Sequence, residues 1–402
     1  MSSEAEVEES NKEALRYLSL GLVLMVLIHT LVHAAGNMRT TLYPLLKEEF
    51  SLTNQQIGLI ASIPLLCQVL LSVPVGLFSD RFGAKKLIAL SIILATAGAF
   101  LGGFSFNPWM YIVASTLLTL SSTIYHPPAQ SYTSKITSIS DRVRALGIWN
   151  AGGTFGVSLG PLSISVLMGL FAFQWRQVYQ FWVIPTFLGL IAIYFVSDSS
   201  DTAQRHEEVY EEEEAPARTL LSRDMIMFLS SSGVRSFAGS LTTVFLSIWL
   251  VESQGWSPEN LGIMLGAGSL MGIIAAPLGG EIASGFGEKR WMVLSLFASY
   301  TCFVIAIILK GFWPFFIFYL ARRFFGMLSM PSNSSITARL SPPKQRGIGF
   351  GLSTLPGSIM GSIAPLIAAF IADTYGIYPI FIISSLISYM GLGILQFGVE
   401  IK

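Results

Sequence analysis

The chain has 402 residues, 52% of them hydrophobic and 12% charged, with 24 basic residues balancing 24 acidic ones and a mean hydropathy of +0.62. That leaves too little polar surface to wet a soluble protein, and no basic excess to hold nucleic acid, so the solvent is a bilayer and no nucleic-acid partner is expected. Cys67 and Cys302, the two cysteines, lie inside apolar runs; they exclude a disulfide framework or a metal cluster and read as packed small residues.

The chain begins with a polar, acidic stretch, Met1 to Glu13, which lacks the basic region and cleavage site of a signal peptide, so the first apolar run is expected to stay as an uncleaved anchor. Spans are predicted over Tyr17 to Asn37, Ile57 to Phe78, Leu87 to Phe106, Trp109 to Ala129, Leu146 to Phe171 and Tyr179 to Val196. A polar stretch, Asp198 to Arg223 with its run Glu211 to Glu214, then interrupts the pattern. It reads as a solvated cytoplasmic tether or as a docking segment for a partner. Six more spans follow: Met225 to Leu250, Leu261 to Ile282, Trp291 to Leu309, Trp313 to Met330, Ile348 to Ile371 and Ile377 to Phe397. Each is about 20 residues, the length that crosses a hydrocarbon core of about 30 Å. The runs are continuous and do not alternate, which excludes a β-barrel. The expected fold is all-α, twelve transmembrane helices in two pseudo-symmetric bundles: residues 1–197, a linker 198–223, and residues 224–402.

The symmetry is written in the chain. Moved by 204 positions, Gly76, Gly83, Lys85 and Lys86 fall on Gly280, Gly287, Lys289 and Arg290. Likewise Ile57 and Gly58 fall on Leu261 and Gly262, Pro127 on Pro331, and Pro161 on Pro365. Two copies of one membrane unit suggest a transporter whose central site is served by both halves. Lys12, Arg16, Arg81, Lys85, Lys86, Lys135, Arg142, Arg144, Lys289, Arg290, Arg339 and Arg346 fall on one side of this topology, against Lys47, Arg176 and Lys310 on the other. Both termini are therefore expected in the cytoplasm, with the protein in the cell membrane.

The run from Gly76 through Asp80, Arg81 and Gly83 to Lys85 and Lys86 resembles the signature loop between the second and third helices of the major facilitator superfamily. The resemblance implies two six-helix bundles that rock about a central cavity, with Gly76, Asp80, Arg81, Gly83, Lys85 and Lys86 in a conformational switch. Glycine at 76 permits close helix approach, glycine at 83 a tight turn, and Asp80 an ion pair across an interface. In the second copy the acid is replaced by Ser284, with Glu281 nearby, so that latch is expected to be weaker. The basic residues are topology anchors in either case.

A second stretch is similar to the fourth and fifth helices of fosmidomycin-resistance-type exporters: Tyr125, His126, Pro127 and Pro128, then Arg144 to Gly147 and Gly152 to Pro161. The glycine-rich run ending at Pro161 resembles the fifth-helix motif of antiporters, which implies export and adds Gly156, Gly160 and Pro161 to the switch. By itself, glycine at 152, 156 and 160 gives a smooth face for close packing, and Pro161 removes a backbone donor.

No Asp or Glu lies near the middle of any span, whereas Arg235, Arg322 and Arg323 do. Arginine at that depth costs at least about 2.5 to 3.5 kcal/mol on insertion scales, so each is expected to face a cavity or a hydrogen-bonding partner. Together with Asn37 they are the candidate substrate residues; the expected function is secondary active transport by alternating access, proton-coupled export of a small organic or anionic compound. The plainer reading is that an arginine snorkels or bonds to backbone carbonyls. Adjacent arginines point about 100° apart, so one of Arg322 and Arg323 is expected to face the cavity. His29, His33 and Asn37 recur at four-residue spacing on one helix face, with His126 in the fourth helix. The three histidines are candidate proton carriers or, equally, a packed polar core. No metal-spaced cluster of histidine with carboxylate and no phosphate-cradling loop is present. No enzymatic activity, cofactor or nucleotide-driven pumping is therefore expected, and the chain is expected to work as a monomer driven by a gradient. The alternatives are uptake of an organic anion and a transport-inactive receptor or scaffold.

Overall fold

The structure, a computed structural model, describes residues 19–138, 141–196, 221–309, 311–342 and 346–401, and of residues 73, 76–82, 143, 346 and 347 only the backbone. The acidic stretch Met1 to Glu13 and the linker 198–223, apart from its last three residues, lie outside the described residues.

Among these residues the structure is helical without strands. The segments of the first half are α1 (Leu20–Asn37), α2 (Arg39–Glu49), α3 (Asn54–Phe82), α4 (Ala84–Gly103), α5 (Pro108–Ile136), α6 (Arg142–Gly169) and α7 (Trp175–Tyr194). Those of the second are α8 (Arg223–Glu252), α9 (Pro258–Phe286), α10 (Glu288–Ile308), α11 (Phe312–Leu328), α12 (Met330–Leu340), α13 (Arg346–Tyr375) and α14 (Tyr378–Gly398). α1 continues into α2 as one span, and α11 into α12, so the segments make twelve transmembrane helices. The chain is an all-α membrane protein of two pseudo-symmetric six-helix bundles.

Several helix starts are set where the first backbone N–H groups find polar side chains. Ser19, Asn107, Ser222 and Ser257 each accept a hydrogen bond from the backbone three residues on. The break between α11 and α12 has a covalent cause. Pro331 lacks an N–H and its ring meets the carbonyl four residues earlier, which ends the regular helix at Leu328. Gly83 and Gly287, related by the repeat, both sit at positive φ, 84° and 96°, immediately before α4 and α10. A side chain would be strained there, so glycine makes the tight turn that the signature requires.

Ten spans are long and apolar enough to cross a membrane by composition alone. The two that fall short are α5 and the 17-residue α11, and these carry His126 and the pair Arg322 and Arg323. Large apolar side chains elsewhere face outward, as bilayer solvent demands: Leu70, Ile184 and Phe187 in the first half, Ile317, Leu386 and Met390 in the second.

Contacts divide the chain into two compact units. One comprises residues 1–38, 70–160 and 173–210; the other comprises 39–69, 161–172 and 211–402. In the first, α4 packs on α5 and α7, and α1 packs on α4, α5 and α7, around a core that includes Met25, Ile28, Val32, Tyr125, Tyr132 and Trp149. In the second, α8 packs on α13 and α14, and α11 on α9 and α10; one core gathers Trp249, Trp256, Phe303, Phe315, Tyr319 and Phe381.

Candidate functional site

In the first unit a ladder of small residues brings α1 and α6 together. Gly152, Gly156 and Gly160 abut Val26, Thr30 and Ala34, so that a four-residue step on one helix meets a four-residue step on the other. The Thr30 hydroxyl donates to the Gly152 carbonyl at 3.0 Å, which pins the crossing. The face that the glycines present is a packing face.

That close approach seats His29. A Cβ on Gly153 would collide with the imidazole, which stacks on Trp149 at 4.3 Å between centroids and is 2% exposed. His29 Nδ1 donates to the Trp149 carbonyl at 2.8 Å, so Nε2 carries the lone pair; that atom is buried and has no hydrogen-bond partner among the described residues. The Trp149 indole donates to the Tyr125 hydroxyl at 3.1 Å, and Tyr125 donates to the Met25 carbonyl at 2.5 Å. His33 and His126 complete a triangle with His29, their ring centroids 4.9, 5.0 and 5.2 Å apart. Their Nε2 atoms are 3.1 Å apart, so one donates and the other accepts. Asn37 donates to the His33 carbonyl at 2.8 Å, and its amide nitrogen stands 3.5 Å from His33 Nδ1. The three polar residues of the predicted α1 face and His126 of α5 thus meet, with Trp149 and Tyr125 as supports.

The three arginines lie in the second unit. Arg322 lays its guanidinium over the Phe303 ring, 4.0 Å from the centroid, and near Tyr319. Among the described residues no acceptor bonds that guanidinium. Arg235 donates to the carbonyl and hydroxyl of Ser231, both at 3.3 Å, and stands near Tyr300, whose hydroxyl also lies in the field of Arg322. Arg323 turns the other way: its stem packs on Gly268, and its Nε stands 3.4 Å from the Gly268 carbonyl. The adjacent pair therefore splits between α10 and α9, and none of the three is matched by a carboxylate among the described residues.

Repeat symmetry also appears as contact. Gly58 lies against the Pro365 carbonyl and Ala369, and Gly262 lies against the Pro161 carbonyl and Ser165. Each residue of one pair is the counterpart of a residue in the other. Around them Lys47 pairs with Glu252 at 2.9 Å, Asn54 donates to Asp373 at 2.8 Å, and Ser165 donates to the Glu259 carbonyl at 2.7 Å.

In the second copy of the signature loop, Ser284 donates to the Glu281 carbonyl, and Glu281 forms no ion pair among the described residues. The pairing acid is Glu288, which meets Arg339 at 3.2 Å and accepts from Ser335. The repeat matches Glu288 to Ala84, which hides it from the comparison of halves. In the first copy Lys85 is half-buried and Lys86 exposed, while the side chains of Asp80 and Arg81, with Gly76, lie outside those described.

Two six-helix bundles related by an internal repeat, with uncompensated polar clusters buried in each, define a membrane transporter. The sequence profile of the Major Facilitator Superfamily matches residues 25–234 and 228–400. The chain belongs to that superfamily; it is a secondary transporter and not an enzyme. It is 25% identical over 340 residues to the nitrite extrusion protein of Bacillus subtilis (strain 168), covering 83% of this chain and 82% of that one. Over 151 residues it is 30% identical to the fosmidomycin resistance protein of Escherichia coli (strain K12), 38% of this chain and 35% of that one. A solved structure of a bacterial homolog of the human lysosomal transporter Spinster, inward-facing and occupied, superposes with a TM-score of 0.81 at 15% identity. It covers 95% of this chain and 97% of the other.

Proposed function

We propose that the chain exports a small organic anion across the cell membrane in exchange for protons, working as a monomer with both termini in the cytoplasm. The observation that carries the anionic substrate is Arg322: a guanidinium held over the Phe303 ring, its N–H donors without an acceptor among the described residues, within a span that offers no acid. A charge at that depth is retained only for a partner, and a carboxylate, phosphate or phosphonate accepts the paired bonds a guanidinium gives. Arg235 and Tyr300 stand beside it as further donors. The extrusion named for the nitrite relative supports the outward direction. The proposed coupling groups are the imidazoles of His29, His33 and His126, the protonatable side chains available near mid-span. The signature residues Gly76, Asp80, Arg81, Gly83, Lys85 and Lys86, with Gly156, Gly160 and Pro161, are the proposed switch. The acidic segment 198–223 is the tether between halves.

A thermal-shift screen of purified protein against anionic, neutral and cationic compounds tests the substrate class. Direction is tested with the hits. Export by proton exchange gives accumulation in inside-out vesicles with an acidic lumen; accumulation only in right-side-out vesicles with an acidic exterior would make the protein an importer.

A further inference from the structure

We propose that His29, His33 and His126 form a membrane-embedded three-imidazole site for a divalent ion of the late first-row transition series, Zn2+ among them. Their ring nitrogens lie within 4.8 Å of one another. Two imidazoles that share a tetrahedral ion at about 2.0–2.1 Å place their nitrogens about 3.3 Å apart. The 3.1 Å between His33 Nε2 and His126 Nε2 is already close to that separation.

Two further observations separate this cluster from ordinary polar packing. A buried imidazole placed for packing finds partners for both nitrogens, yet His29 Nε2 is sealed from solvent with none. Its other nitrogen is spent on the Trp149 carbonyl, the arrangement by which ligand histidines fix their tautomer and aim a lone pair. Asn37 stands beside His33, its amide donating to the His33 backbone carbonyl at 2.8 Å. The absence of a side chain at Gly153 then leaves room for the His29 ring where a Cβ would exclude it.

The donor set decides which ion. Imidazole nitrogen suits zinc, nickel, copper and cobalt, whereas magnesium and calcium take oxygen ligands, and no carboxylate contributes here. Three protein ligands leave a fourth position to water or to an exogenous anion that offsets the ion's charge within the membrane. His33 and His126 are half-buried and His29 is closed off from solvent. The inference does not depend on the direction or substrate proposed above; at these imidazoles the ion and protons compete for the same lone pairs.

The test uses the full chain, purified without a polyhistidine tag and placed in lipid nanodiscs, with Co2+ and Zn2+ as probes. One Co2+ per chain is expected, with the visible absorption of a four-coordinate centre, bleached by Zn2+ and untouched by Mg2+. His126→Gln and His33→Gln are expected to lose that absorption. Asn37→Ala is expected to keep it, since Asn37 bonds the backbone of His33 and contributes no ligand atom. His206→Gln, the chain's remaining histidine, is the control and should bind as the parent does. Because a histidine variant can fold poorly, Zn2+ should also raise the melting temperature of the parent and not that of a variant with an unchanged elution profile. Six-coordinate cobalt spectra, equal binding by the His33 and His126 variants, or equal stabilisation by Mg2+ would overturn the proposal. Loss of anion binding in Arg322 variants with the cobalt spectrum intact would leave it standing, so the two proposals fail separately.

Discussion

Arg322 rests its guanidinium 4.0 Å from the centre of the Phe303 ring, on the side of α11 that faces α10. Stacking orients the planar fork without using its N–H groups, which remain for a ligand. Arg322→Lys keeps a charge but loses both the stack and the paired donors. Its affinity for the anion that most stabilises the parent in a thermal-shift screen should fall about ten- to hundred-fold, the equivalent of one charge-assisted hydrogen bond. Phe303→Leu should weaken it less. Equal affinities by calorimetry would remove this pair from the substrate site.

Arg323, one residue on, is held against Gly268 instead. Arg323→Lys should leave anion affinity within about two-fold of the parent, since its head is engaged with the backbone of α9 and does not share the Phe303 stack. A loss as large as that of the Arg322 variant would show that both arginines bind.

Closeness at Gly153 predicts a stability effect. Adding one methyl there drives it into the His29 ring, which is held by the Trp149 carbonyl and stack and has nowhere to retreat. Gly153→Ala should cost about 1–3 kcal/mol, the range for overpacking, read as a lower melting temperature in detergent. Gly147→Ala, where a methyl meets open space, is the matched control and should melt within experimental error of the parent.

The sequence made the frame legible because bilayer physics writes in long strokes: a run of about 20 apolar residues has one reading. Gly83 and Gly287 were legible too, since only a turn at positive φ needs glycine before a basic pair in both halves. Most histidine and arginine candidates stood out because polar atoms are rare in spans. What lay hidden were their partners. Trp149 acts on His29 through its backbone carbonyl, a group every residue has, and Phe303 lies 19 positions before Arg322 on a different helix, with no periodicity to join them. Glu288 was missed because comparing halves looks for an acid at the matched position, and here the acid sits four residues later, beside the turn. The end of α1 was legible, since the predicted span stops at Asn37, but its continuation as α2 was not, because Asn37, Arg39, Thr40 and Thr41 interrupt the apolar run.

Gly58 and Gly262 make the symmetry testable. Each faces the carbonyl of a proline that is the counterpart of the other's, and a Cβ at either would force the backbones of two helices apart. Backbone cannot rotate aside as a long side chain does, so neither site can absorb a leucine locally. Gly58→Leu and Gly262→Leu should therefore each reduce transport in vesicles strongly and by similar amounts, although they share no contact and lie on different helices. The local ladder at Gly152 and Val26 belongs to the other compact unit, so His29 should keep its environment in both variants, read as unchanged fluorescence from Trp149 with the other tryptophans replaced. If one variant abolished transport while the other transported as the parent does, the two halves would not be mechanically equivalent at this contact, and the repeat would be a relic of sequence rather than a shared hinge.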